Sequence, residues 1–356
     1  MKNQDKMKIA WGSLYVPGGR KGVLLVHSLG GSPIELRFVA HALGKDGYTV
    51  YCPTLPGLAG GTDVTGLSSW TDWYAALETA HDEISKQCDT ILVGGISAGT
   101  MLALRLAAMR PDGVQGLLLF SPTLWANGWA IPWYFSLFRL IKQKWAARLF
   151  HFKAREPLGI KDDRLRSFIV DALQGDSDAI EDFFGRGGGL VLEFRKLVRN
   201  VKPLLKKVKQ HTLMFHPRHD DQSDLKNAMT IQRMLAGLVE LHVLDDCYHM
   251  VTLDRQRSIV VERTTEFAAR LTKRFEDTQT IFSAGEGNLK EQGSAKPDLG
   301  LGRRPAYRRY RRGRYDPTLG LARGLDLHRL LVRDRRRHRI ARKCRLPFGG
   351  LSATAR

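Results

Sequence analysis

The amino-acid sequence predicts an α/β fold, a mostly parallel sheet with helices on both faces. Three observations carry that expectation. Short apolar runs at residues 22–26, 48–52, 91–93 and 114–120 lack polar alternation, as strands buried on both faces do. Segments of helical period separate them, which implies crossover connections and therefore parallel pairing. Finally, Gly95-Ile96-Ser97-Ala98-Gly99 lies where one such run meets a helix and matches G-x-S-x-G, a sharp strand-to-helix turn that exposes its serine.

Taken in order, residues 1–21 read as a ragged edge strand or hairpin that turns at Pro17-Gly18-Gly19. A buried strand follows at 22–26, then the loop His27-Ser28-Leu29-Gly30-Gly31-Ser32. Pro33 suits the first turn of a helix reaching Leu43. The strand at 48–52 stops at Pro53, and residues 54–68 form a loop rich in Gly, Pro and Thr. Ser69 is a plausible N-cap, with Asp72 in the first turn of a helix to about Lys86. After the serine turn, Met101, Leu102, Leu104, Leu106 and Ala107 have helical spacing that ends at Pro111. The sheet resumes at 211–215 and closes at 239–244, and a final amphipathic helix covers about 257–275.

Residues 123–205 break the alternation. No strand is expected there, and helices fit near 164–173 and 190–201, separated by Gly187-Gly188-Gly189. Aromatic residues from Trp125 to Phe152 interleave with Arg139, Lys142, Lys144 and Arg148. This segment reads as a helical cap inserted over the sheet. Its aromatic residues suit packing between cap and core, an apolar wall against substrate, or transient contact with a membrane surface. The expected domains are therefore a core of 1–122 and 206–277, a cap of 123–205, and a tail of 278–356.

Composition narrows the function classes. Of the net charge of +20, +12 comes from Glu276 onward, where 20 Lys+Arg face 8 Asp+Glu, so the basicity belongs mostly to the tail. Residues 278–297 read as a linker. The arginine-rich remainder, with Tyr307, Tyr310 and Tyr315, suits either a nucleic-acid-binding arm or a solvated disordered tail, and the second reading is preferred. Cys52, Cys88, Cys247 and Cys344 have no metal or redox spacing, so no cofactor or metal is expected. No apolar leader opens the chain, and prolines and glycines interrupt the uncharged stretch 113–138, which points to a cytoplasmic protein.

A serine hydroxyl is a poor nucleophile near neutral pH and needs a base oriented by a third group. At such a turn the chain order is Ser, then Asp or Glu, then His. The acid is sought after the strand at 211–215, where Asp220 is preferred, followed by Asp221 and Asp224. The base is sought after the last strand, where His249 is preferred over His216 and His219. Asp245 and Asp246 would have to fold back on His249 and rank low.

From about Gly22 to Phe275 the chain resembles the α/β-hydrolase superfamily, in its bacterial carboxylesterase and monoacylglycerol lipase branch. The residues that carry the resemblance are His27-Ser28-Leu29-Gly30-Gly31, Gly95-Ile96-Ser97-Ala98-Gly99, Arg218-His219-Asp220 and Tyr248-His249 with Thr252-Leu253-Asp254. The resemblance implies Asp220 as the triad acid, and backbone N–H groups of Ala98 and Leu29 as the oxyanion hole. One departure stands out: the family usually has His-Gly where this chain has His27-Ser28. His27 is expected to bond the loop rather than move a proton. The implied function is hydrolysis of small-molecule esters of lipophilic acyl groups through an acyl-enzyme on Ser97. Alternatives are thioester, amide, lactone or C–C cleavage on the same residues, a binding protein on the same scaffold, and nucleic-acid binding through the tail.

Overall fold

The computed structural model describes residues 12–58, 68–152, 155–172 and 186–292. All of them lie within one unit, Met1–Ser294. The strands of its main sheet are β1 (Leu14–Val16), β2 (Lys21–Val26), β3 (Thr49–Cys52), β4 (Thr90–Ile96), β5 (Gly116–Phe120), β6 (His211–Pro217) and β7 (Val239–Leu244). They are arranged in the order β1-β3-β2-β4-β5-β6-β7. Only β1 is antiparallel, pairing Leu14 with Cys52 at one edge. The other pairings are parallel, as the expected crossovers require.

Unbroken apolar runs are explained by two-sided burial. Successive side chains of a strand point to opposite faces, so each run supplies both cores at once. Leu24, Val26, Val93, Leu117, Leu119 and Met214 pack on one face with α2 (Trp70–Ser85), α3 (Gly99–Met109) and α5 (Gly188–Val201). Val23, Leu25, Leu92, Leu118, Phe120 and Phe215 pack on the other with α1 (Arg37–Lys45) and α7 (Arg257–Gln292). Ser69 caps α2 as expected, its N–H donating to Asp72 Oδ2 at 2.8 Å. Pro33 opens a 3₁₀ turn, Pro33–Leu36, that leads into α1.

Register brings the functional loops together. Val26 lies opposite Gly95, Ile96 opposite Phe120, and Phe120 opposite Phe215. The loops after β2, β4, β5, β6 and β7 consequently leave one edge of the sheet, where α/β sheets bind ligands.

Three expectations are corrected. Within 123–205, His151–Phe152 and Arg186–Gly187 form a two-residue antiparallel ladder where no strand is expected. Two residues are too few to show a period, so pattern reading misses them. The helices expected near 164–173 and 190–201 are α4 (Asp163–Ala172) and α5, but Gly188 and Gly189 belong to the first turn of α5 rather than to a separator, and its Leu197 and Val201 join the core cluster beside α3. The last helix continues to Gln292, into the stretch 278–297 expected to be a linker. No proline occurs between 257 and 296, and each added residue of a nucleated helix gains a hydrogen bond. Other expectations fall outside the described residues: the first strand's start, part of the loop 54–68, and the arginine-rich stretch that carries the nucleic-acid alternative. Among the described residues, no helix is long and apolar enough to cross a membrane.

Candidate active site

β4 delivers Ser97 at the turn into α3. Its φ of 53° lies in the left-handed region, a strained position for a residue with a side chain. The turn closes tightly enough to require both glycines. A Cβ at Gly99 would lie 2.4 Å from Val26 O, and one at Gly95 2.7 Å from the Gly99 carbonyl carbon. The Ser97 amide donates to Phe120 O at 2.9 Å, which locks the turn to β5. Ser97 is half-buried and stands at the N-terminus of α3, where the helix dipole favours negative charge.

The loop after β7 carries His249, which is 2% exposed. Its Nδ1 lies 2.8 and 3.0 Å from the two Asp220 carboxylate oxygens. Its Nε2 is buried and has no hydrogen-bond partner among the described residues. Burial opposes charge on both groups, but the opposite charge and the hydrogen bond overrule it. His249 is raised above the ordinary imidazole value, and Asp220 is held below the usual carboxylate range. Asp220 also accepts the Gln222 and Ser223 amides, each at 2.8 Å, which fixes its plane against the ring.

The neighbouring Asp221 does a different job. It accepts the His249 amide at 3.2 Å and the Gly159 amide at 2.9 Å. Burial, with the charge of Asp220, pushes it up to about 6. Asp224 accepts the Lys226 amide at 2.7 Å, at the start of α6 (Lys226–Met234). Asp245 pairs with Arg218 at 2.5 Å and Asp246 with Lys161 at 2.8 Å, both on exposed surface away from the ring. His219 is exposed. His216 is buried and donates from Nε2 to Ser223 O at 2.8 Å; burial lowers it from the ordinary value.

His27 has both ring nitrogens engaged. Nδ1 donates to Ser28 O at 2.9 Å, and Nε2 accepts from the Leu55 amide at 3.2 Å. Burial lowers it to about 4, so it stays neutral and holds the loop, as the sequence reading expects. Gly30 and Gly31 donate to Leu58 O and Ser28 O, whereas the Leu29 and Ala98 amides donate to no acceptor among the described residues.

Three residues have no such role in the sequence analysis. Ser121, at a φ of 45°, donates to His249 O at 2.6 Å, so the backbone of His249 is held at its carbonyl by Ser121 and at its N–H by Asp221. Asp254 accepts the amides of Tyr248, Lys161 and Asp162 at 2.7 to 2.9 Å, joining the His249 loop to the inserted segment. Glu35 accepts from Ser28. Only Asp254 left a trace, inside the motif Thr252-Leu253-Asp254; contacts between distant loops have no local pattern.

Ser97, Ala98, Leu29 and His249 line one cavity of about 750 Å³. Its upper wall comes from 123–205 and is mostly apolar, including Ile131, Phe135, Phe138, Phe152 and Val191, with Arg155 and His151 also on it. Phe135 and Phe138 also stack on each other and meet Phe152 edge-to-face, so the same rings serve packing and cavity wall. No cluster of three or more His, Cys, Asp or Glu suited to a metal occurs among the described residues.

This geometry agrees with what the chain is similar to. It is 26% identical over 267 residues to the thermostable monoacylglycerol lipase of Bacillus sp. (strain H-257), covering 72% of this chain and 93% of that one. It is 20% identical over 256 residues to a carboxylesterase of Bacillus subtilis (strain 168), covering 71% and 94%. Among solved structures, one from a study of two metagenome-derived lipolytic enzymes, LipS and LipT, superposes with a TM-score of 0.59. That pair is 24% identical and covers 74% of this chain and 100% of the other. The α/β hydrolase family pattern matches residues 23–263, from β2 into α7. With that match spanning most of the chain and the parallel sheet, serine turn and late histidine all in family order, the protein belongs to the α/β hydrolase family.

Proposed function

We propose that the protein is a serine hydrolase cleaving carboxylic esters of lipophilic acyl groups, of carboxylesterase or monoacylglycerol lipase type. The observation that carries this reading is His249: its Nδ1 is tethered to Asp220, and its Nε2 is buried and unclaimed in the cavity it shares with Ser97. Ser97 Oγ attacks the ester carbonyl carbon while His249 Nε2 takes the hydroxyl proton. The amides of Leu29 and Ala98 hold the resulting oxyanion, each donor worth about 3 kcal/mol to the transition state. Collapse breaks the bond to the leaving alcohol, which receives the proton from His249. Water then attacks the acyl-enzyme, again losing its proton to His249, and the acid departs as Ser97 regains its hydrogen.

The apolar wall supports an acyl chain as the occupant, and the Bacillus monoacylglycerol lipase supports an ester of that class. The cap's outer surface supports transient membrane contact as part of this reading. Trp133, Leu140, Trp145 and Leu149 are each at least 70% exposed, with Arg139, Lys142 and Arg148 exposed among them. The test is fluorophosphonate labelling together with turnover of p-nitrophenyl esters from acetate to palmitate. Ser97→Ala is expected to abolish labelling and cut kcat by about 10⁶-fold. Unchanged labelling of the variant would overturn Ser97 as nucleophile, and a wild type that neither labels nor turns over esters would overturn the function.

A further inference from the structure

The first loop contains a buried acid that the mechanism above does not use. Glu35, 3% exposed, sits in the 3₁₀ turn Pro33–Leu36 and lines the cavity with Ser28, Leu29, Ser97 and His249. Each carboxylate oxygen accepts one hydrogen bond from the same residue: Oε2 from the Ser28 amide at 2.9 Å, and Oε1 from the Ser28 hydroxyl at 2.8 Å. Ser28 is the position where this chain departs from the family's glycine. Gly31 leaves room for the clamp, because a Cβ there would lie 1.9 Å from Glu35 Oε1. At its backbone, Glu35 O accepts the Thr252 hydroxyl at 2.7 Å, three residues beyond His249. One residue therefore touches the loop bearing the Leu29 amide and the loop bearing the base.

Resting on the proposed hydrolase reading, we propose that Glu35 is a positioning residue that couples these two loops. Its carboxylate holds the Ser28 amide and hydroxyl, leaving the Leu29 N–H as the donor for the oxyanion, and its negative charge favours the imidazolium formed at His249. The charged and titratable groups that face the ring are Asp220, Asp221 and His216 from β6 and the loop after it, and Glu35 from the turn before α1. Glu35 adds to the upward shift of His249, after Asp220 and Asp221. The serine hydroxyl at position 28 supplies the second half of a two-point grip that a glycine would leave at one point. A charge-bearing clamp beside the oxyanion loop is tolerable because both of its oxygens are already occupied by donors from Ser28.

The experiment compares Glu35→Gln, Glu35→Asp and Ser28→Ala with wild type, reading kcat, KM, the pH profile of kcat/KM, and the His249 ring by NMR titration. Gln cannot accept on both atoms and carries no charge. For Glu35→Gln, kcat is expected to fall about 30-fold with little change in KM, less than the ~10²–10³-fold of a donor lost outright. Its acidic limb and the His249 titration are expected to move to lower pH, since removing a negative charge disfavours the imidazolium. Asp keeps the charge but not the reach, so Glu35→Asp should lose kcat with the limb unmoved. Ser28→Ala should lose about threefold, again with the limb unmoved, as one hydrogen bond of a pair is removed. A Glu35→Gln enzyme with wild-type kcat and limb would overturn the proposal; if that variant does not fold, wild-type kcat in Glu35→Asp would do so. The NMR titration needs no turnover. Failure of the wild type to cleave esters would thus refute the hydrolase reading separately from the coupling of Glu35 to His249.

Discussion

The floor and the roof of the cavity are built by opposite means. On the floor, His249, Asp220, Asp221 and Ser121 are tied by hydrogen bonds between loops that leave one sheet edge, and Ser97 is tied by its amide to Phe120 O, with His249 Nε2 left without a partner among the described residues. The roof, from 123–205, uses ring contacts such as Phe135 on Phe152 and Phe138 on Phe152, with centroids 4.6 and 5.0 Å apart. Hydrogen bonds are directional and costly to leave unmade when buried, whereas apolar contacts are nearly indifferent to orientation. The difference teaches that the floor is specialised for one arrangement of atoms, and the roof for a class of shapes.

The comparison breaks most sharply at the floor. Asp220→Asn should remove the charge and the preferred tautomer of His249 together, lowering kcat by about 10³–10⁴-fold. In the proposed mechanism neutral His249 is the base, and Asp220 raises it above the ordinary imidazole value, so the acidic limb of wild-type kcat/KM should lie on the alkaline side of an ordinary histidine's and move to lower pH in the variant. Asp221→Asn should cost less, about 10- to 100-fold, because it loosens the His249 peptide rather than its ring. Equal losses in steady-state kinetics would erase the distinction drawn between the two acids.

Roof substitutions should leave the chemistry intact and change what fits. Phe138→Ala opens space in the cavity wall and should shift relative kcat/KM toward longer acyl chains by about tenfold in an ester series. The same change should cost about 3–5 kcal/mol of stability by urea unfolding, since the ring is 4% exposed. Trp133→Ser with Trp145→Ser should have the smallest effect on catalysis. Turnover of a soluble ester should be unchanged, while binding to anionic vesicles in a flotation assay falls by about tenfold. An unchanged vesicle affinity would remove membrane contact from the proposal.

The same division governs what could be read before folding. The elbow was legible because Gly95, Ser97 and Gly99 answer to local sterics, and His249 because the loop after a closing strand is recognisable in chain order. Position after the strand ranks Asp220 ahead of Asp221 and Asp224, and the resemblance supports it over Asp221, although adjacent residues in a loop share most local signals. Ser121 and Glu35 carried no signal for their roles: one is a serine after a strand, the other an acid in a turn. The helix beyond 278 was hidden by its polar and glycine-bearing composition.

By itself, then, the sequence determined the strands of the main sheet, the two-sided burial of the central ones and the serine turn. These depend on neighbours along the chain, through apolar period and backbone clash. Tertiary structure alone decided which aspartate meets His249, which carbonyl Ser121 holds, and which loop Glu35 clamps. Those partners lie 29, 128 and 7 residues apart, and Thr252 reaches Glu35 across 217. Bonds of that span depend on strand register, which is set by the packing of the whole sheet.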